Sequence, residues 1–538
     1  MHRALRLLDI LTILFDGCSN ETLASAARTC KSWQILALQR LWRVLETPLP
    51  LLWLLGFDDW ENTKRVFDID FEALPRLQFY ARFVQSITVH SGYTDDSHIH
   101  PRLIGEFAHM AQFLHPHLFP HLVSLDCLLD GPEAIWRASF WLGIRLSKIS
   151  LSLLDCTEAA CLLAIRSLSH HGAFLTSLSL HLDQTSEFSE AVIECFVNAL
   201  KPLVNLVCLT ANWEILFTPT VWTCIAQFPN LKEVRSSSLE ELDADPPDPS
   251  AWYSFEPPTL DTPFPSLHTI AMAVPSQLSV IVLGYYPLDG VRFLGLLLTD
   301  KKDDPLTEQS LTRIVTICKG LHELLLVAPN FSLPVLKLPL LPNLTHLTVC
   351  TNGVETINNA DLVDLGSKMP NLEDLGLIPV QVHDPPSLTL EVIRAIAGVC
   401  PRLGRASLYV NTDVSDIRFS FDDPPLPSNH PLSTLCFAPS PVQNCCEVAM
   451  YLCTVFQDAR HAPTIMAPEV SFEQHFSWEG LDHRTDQDPG EGWKYVAEFM
   501  GTLRRRIILP FQRELEALRG EVRFYTAGKG PMKEIPGV

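Results

Sequence analysis

Apolar residues recur along this chain in one short phrase: a leucine, two variable residues, a second apolar residue, and usually a third two places on. Leu175-Thr176-Ser177-Leu178-Ser179-Leu180, Leu344-Thr345-His346-Leu347-Thr348-Val349 and Leu372-Glu373-Asp374-Leu375-Gly376-Leu377 are clear instances. Alternation over the second half of the phrase predicts a short strand with one face buried. Proline and asparagine often introduce it, at Pro229-Asn230, Pro342-Asn343 and Pro370-Asn371. Between phrases the period becomes helical, over 159–168, 191–200, 311–318, 362–369 and 392–399. The first leucine of each phrase sets a register at Leu122, Leu146, Leu175, Leu206, Leu231, Leu267, Val291, Leu321, Leu344, Leu372, Leu403 and Leu432, with intervals of 23 to 36 residues. A strand and a returning helix, repeated at this spacing, predict stacked parallel strands backed by helices.

The opening residues follow a different rule. Leu7, Ile10, Leu11 and Leu14 share one helical face, and Leu23, Ala26, Ala27 and Cys30 share another, with Asn20 expected as its N-cap. Trp33, Leu36, Ala37 and Leu41 form a third, ending at Trp42. Three short helices bury too little surface to stand alone, so they are expected to pack on the next domain or a partner. The expected organisation is a three-helix module over 1–47, a helical linker or cap over 48–118, and the repeat array over 119–440. Residues 441–538 complete it as a helical cap and tail, with helices at 447–456 and 493–518. An acidic stretch with seven prolines at 240–265 and a shorter one at 421–431 are expected as insertions.

Composition narrows the function. A chain of 538 residues exceeds the roughly 250–300 at which one core stops growing, and 47% apolar content excludes a disordered chain. A net charge of −22 argues against nucleic acid as a partner, with Arg504-Arg505-Arg506 the only compact basic run. No apolar stretch reaches the roughly 18–20 residues that span a bilayer, so no membrane partner is expected. Fifteen cysteines, mostly within apolar runs and without a Cys-x-x-Cys pair, read as small hydrophobes in a reducing compartment. An intracellular protein, cytoplasmic or nuclear, is expected.

Two resemblances sharpen this reading. The array resembles the longer class of leucine-rich repeat, although the asparagine or cysteine that ordinarily follows the phrase is mostly displaced; Asn212 and Cys350 stand near that place. An open α/β sheet with ordinary crossovers, the competing fold, predicts far fewer strands and no proline–asparagine lead-in. The first forty-odd residues resemble the F-box, in the form found in large fungal families. Leu7-Leu8-Asp9-Ile10-Leu11 takes the place of its first segment and Leu23 of its second, followed by Cys30-Lys31-Ser32-Trp33 and Leu41-Trp42-Arg43. Leu8 stands where that family usually has proline, and Asp9 where it usually has glutamate.

The F-box resemblance implies a substrate-recognition adaptor of a Skp–cullin–F-box type ubiquitin ligase. Leu7, Leu11, Leu14, Leu23, Trp33, Leu41 and Trp42 would meet the Skp-type subunit, some of them serving the module's own core. The variable strand positions of the array, such as Thr176, His181, Thr345, His346 and Glu373, would meet a target protein. A leucine-rich-repeat scaffold with no ubiquitin link is the alternative. No catalytic motif, phosphate loop or dinucleotide fingerprint occurs, so neither enzymatic activity nor a cofactor is expected. The histidines at 98, 100, 109, 115, 117 and 121 lack the cysteines or carboxylates that would complete a metal site.

Overall fold

A computed structural model describes residues 8–55, 71–91, 118–130, 146–237, 255–466 and 493–500, with short breaks in the last three spans. It divides into two compact units, 1–273 with 281–290, and 274–280 with 291–538. In the first unit three helices open the chain, α1 (Leu8–Asp16), α2 (Asn20–Thr29) and α3 (Lys31–Leu41). The strands that follow are β1 (Val44–Leu45), β2 (Ser86–Ser91), β3 (Ser124–Asp130), β4 (Lys148–Leu154), β5 (Ser177–Leu182), β6 (Cys208–Asn212), β7 (Glu233–Ser237) and β8 (Thr269–Val274). Helices α4 (Leu49–Trp53), α5 (Leu74–Ala81), α6 (Glu158–Leu168), α7 (Glu190–Leu200), α8 (Trp213–Leu216) and α9 (Pro219–Ala226) alternate with them.

After α10 (Ser276–Gly284), the second unit carries β9 (Phe293–Leu298), β10 (Glu323–Ser332), β11 (His346–Asn352), β12 (Asp374–Ile378), β13 (Arg405–Leu408), β14 (Thr434–Cys436) and β15 (Thr464–Met466). Its helices are α11 (Glu308–Ile317), α12 (Asn359–Ser367), α13 (Val392–Val399) and α14 (Cys445–Val455). Within each unit every strand pairs in parallel with the next in the chain. The protein is an α/β leucine-rich-repeat-like solenoid, not an open sheet with crossovers. Among the described residues the first strands, β1 and β2, lie ahead of the expected array, and the last, β15, lies beyond it. The linker stretch 48–118 thus contributes a strand as well as helices, and 441–538 does the same.

Each register leucine lies two residues ahead of a strand, from Leu122 before β3 to Leu432 before β14, and all of them are buried. The alternation that follows puts Leu178, Leu180 and Leu182 in the core and turns Ser177, Ser179 and His181 away from it. The repeat helices start at side-chain caps. Thr157 accepts from the Ala160 N–H, Ser189 from Val192, and Asn358 forms a capping box with Asp361. At α2 the cap is Ser19, which accepts from the Thr22 N–H, and Asn20 is the first helical residue. Serine, like asparagine, offers an oxygen that accepts from the first helical turn, and the chain leaves the extended conformation one residue earlier than expected.

Two ladders of polar contacts hold successive repeats in register. On the lead-in side, one carbonyl per repeat accepts both N–H groups that open the next strand: Thr176 O takes Val207 and Cys208, and Thr345 O takes Glu373 and Asp374. The lead-in asparagine adds a side-chain bond, with Asn371 Nδ2 donating to Pro342 O at 2.8 Å. At the far end of the strands, Asn212 Oδ1 accepts from the Leu182 N–H at 2.7 Å while its Nδ2 donates to Leu182 O at 3.0 Å. Asn352 donates to Pro329 O, and Ser236 and Ser440 accept from Ala273 and Val410 N–H, so polar side chains at other strand positions also bridge neighbouring repeats. Cys350 stands at the same distance from its register leucine as Asn212, and there it is a buried thiol within β11.

Candidate functional site

The α1–α3 module closes its own core. Leu11, Phe15, Leu23, Ala26 and Ala37 are buried together, with Trp33, Leu36 and Leu41 packed against them. Phe15 meets Trp33 edge to face at 6.0 Å, and Arg40 pairs with Asp16 at 2.9 Å across the surface. On α1, Leu11 and Phe15 mark the inward face, at i and i+4. Ile10 and Leu14 lie to one side of that face and Ile13 opposite it, all three exposed, Ile13 at 73%, and Leu8 is exposed at the helix start. Ile35 on α3 is also exposed.

The residues expected to meet an adaptor therefore divide by position. Leu11 and Leu23 are core; Trp33 and Leu41 are half-buried against it; Leu14 is outward. Trp42 lies against Tyr80 of α5 at 4.6 Å, and the Arg43 carbonyl accepts from Gln85 and Ser86, which fastens the module to β2. Leu7 lies outside the described residues. Sequence periodicity missed Ile13 because it was counted from Leu7; counting from Phe15 recovers the inward face and exposes the other.

The sheet face turned away from the helices differs between the units. In the first, small and hydroxyl side chains fill its middle strands, with Lys148, Glu233 and Arg235 at the flanks. Lys148, Ser177, Cys208 and Glu233 align across β4 to β7, then Ser150, Ser179, Thr210 and Arg235, with His181 beside Ser152 in the next row. Thr176 sits just ahead of this face, and its hydroxyl donates to Ser147 O at 3.0 Å, joining two repeats.

In the second unit the first row is charged: Glu323, His346, Asp374 and Arg405 align, followed by Thr434. A hollow of about 640 Å³ opens there between His346, Glu373, Asp374, Arg402, Arg405 and Thr434. Burial pushes the Asp374 carboxyl upward, against the opposing pull of Arg405 and His346, and Arg405 Nη1 lies 3.4 Å from its Oδ2. Thr345 donates to His322 O at 3.1 Å and sits 2.9 Å from His346 Nδ1, so its hydroxyl also ties neighbouring repeats. Further along the same strand face, Leu297, Val327, Cys350 and Ile378 align and are all buried, which confines solvent access to the first rows.

The structure thus gathers His346 and Glu373 at one hollow, leaves Thr345 beside it on the His322 carbonyl, and places Thr176 and His181 on the other unit. Asp374, Arg405 and Thr434 were missed. Their signal was present, since each follows a register leucine by two residues. Of the histidines between 98 and 121, only His121 belongs to the described residues.

No family model matches the sequence, and no curated protein matches it. Among solved structures the chain is similar to one in the crystal structure of the Rad7 and Elc1 complex in yeast. The likeness is 13% identity over 76% of this chain and 90% of that chain, at a TM-score of 0.36.

Proposed function

We propose that this chain is the substrate-recognition adaptor of a Skp–cullin–F-box type ubiquitin ligase, with α1–α3 as an F-box that docks on the Skp-type subunit. The observation that carries the reading is the outward apolar arc Ile10, Ile13 and Leu14, on a module whose core is complete without it. That arc belongs to the segment that carries the Cys30-Lys31-Ser32-Trp33 and Leu41-Trp42 order. Each such side chain contributes roughly 1.5–3 kcal/mol when it leaves water for a partner. In this reading the chain acts in the cytoplasm or nucleus without catalytic residues of its own, and the strand faces hold the protein target.

The test is a pull-down of purified Skp-type adaptor by the full chain, compared with Ile13→Asp and Leu14→Asp. The expected result is capture by the parent chain and a loss of about tenfold or more in affinity for each variant. No capture by the parent chain overturns the F-box reading. It favours the second one, a repeat scaffold with no ubiquitin link, for which Leu8 and Asp9 at the usual proline and glutamate places are the supporting observation.

A further inference from the structure

Cys156 and Cys161 stand apart from the other cysteines. They flank the corner where β4 gives way to α6, and their sulfurs are 3.1 Å apart. That is about 1 Å longer than a disulfide bond and inside ordinary sulfur–sulfur contact. Both are buried, at 4% and 0% exposure. Thr157 between them caps α6, and its carbonyl accepts the Cys161 N–H at 3.0 Å, so Cys161 is fixed on the first helical turn and points back at Cys156.

We propose that Cys156 and Cys161 form a redox-sensitive pair that closes to an intramolecular disulfide under an oxidant of the peroxide class. The Cys156 thiolate attacks a peroxide oxygen, the O–O bond breaks, and Cys156 becomes a sulfenic acid as hydroxide leaves and takes up a proton. Cys161 sulfur then attacks the sulfenic sulfur, forming the S–S bond. The departing hydroxide takes the Cys161 proton, so two thiols and one hydrogen peroxide give one disulfide and two waters.

The roles follow from the geometry. Cys156 is the less enclosed of the two, while the hydrogen bond to Cys156, together with burial, holds the Cys161 thiol well above its ordinary range and keeps its proton until the second step. In a reducing compartment such a bond is transient, as regulatory disulfides are. Closing it would lock the first turn of α6, where Glu158 Oε1 accepts a hydrogen bond from Ser189, the N-cap of α7 in the next repeat.

The experiment treats the full native chain with hydrogen peroxide, blocks remaining thiols with one alkylating agent after denaturation, reduces, and labels released thiols with a second. The expected result is the second label on Cys156 and Cys161 together and, in the unreduced sample cleaved after Glu158, a peptide pair joined with the loss of two hydrogens. Cys161→Ser should abolish that joined peptide and leave Cys156 as a sulfenic acid, trapped by dimedone. Cys156→Ser keeps the outcome decidable if the first variant does not fold. Recovery of both residues with the first label, under oxidation that modifies the exposed Cys446, overturns the proposal.

Discussion

Asn212 shows at the scale of one residue how this array spends a polar group in its interior. Its amide replaces the hydrogen bonds that both backbone groups of Leu182 would otherwise lack. Asn212→Ala should therefore cost about 1–3 kcal/mol, because it leaves a buried donor and acceptor unpaired. Thermal unfolding and faster hydrogen exchange at the Leu182 amide would show it; an unchanged amide would refute the role.

His430 gives a pH-dependent counterpart. Burial lowers its pKa from 6.5, against the raising influence of the Ala397 carbonyl. Its Nδ1 accepts the Leu432 N–H at 3.1 Å while Nε2 faces Ala397 O at 3.2 Å, which selects the neutral tautomer. A group depressed on folding contributes stability that is present above its unfolded pKa and lost as pH falls through the folded one. The parent protein should lose stability below about pH 6.5 more steeply than His430→Gln does, as read from denaturant midpoints at pH 7 and pH 5.

The elements were the most legible part of the sequence. Helices α6, α7, α12 and α13 fall within a few residues of the segments read as helical, and every register leucine leads a strand by two residues. Leucine at that place must fill the space between strand and helix, so its position is dictated locally. Helix α9 escaped because Trp222, Ile225 and their neighbours are apolar on nearly every side, which erases the period. At α1 the face was misplaced, and only the packing of Phe15 on Trp33 shows which arc turns inward.

Over the whole molecule, the boundary between helical module and array is the feature with the largest consequence. Strand β1 and Trp42 lie in the stretch read as the module, yet they cover the edge of β2 and Tyr80. A chain starting at residue 48 should expose that edge and self-associate, visible as a shift to larger species in size-exclusion chromatography. Full-length Ile13→Asp should not, since Ile13 is an exposed residue of α1. A truncation would thus confuse lost docking with lost solubility, and the point variants separate them.

The sequence by itself determined the repeat, the strand phase and the three opening helices, because each depends on the spacing of apolar residues along a few turns of chain. Tertiary structure decided which residues face solvent. It consumed the hydroxyls of Thr176 and Thr345 in joining repeats and aligned Glu323, His346, Asp374 and Arg405 from four separate strands. It also brought Cys156 and Cys161 into contact at a strand–helix corner. Those outcomes depend on which repeat lies against which, and on how the chain turns a corner, and neither is written in the periodicity of one segment.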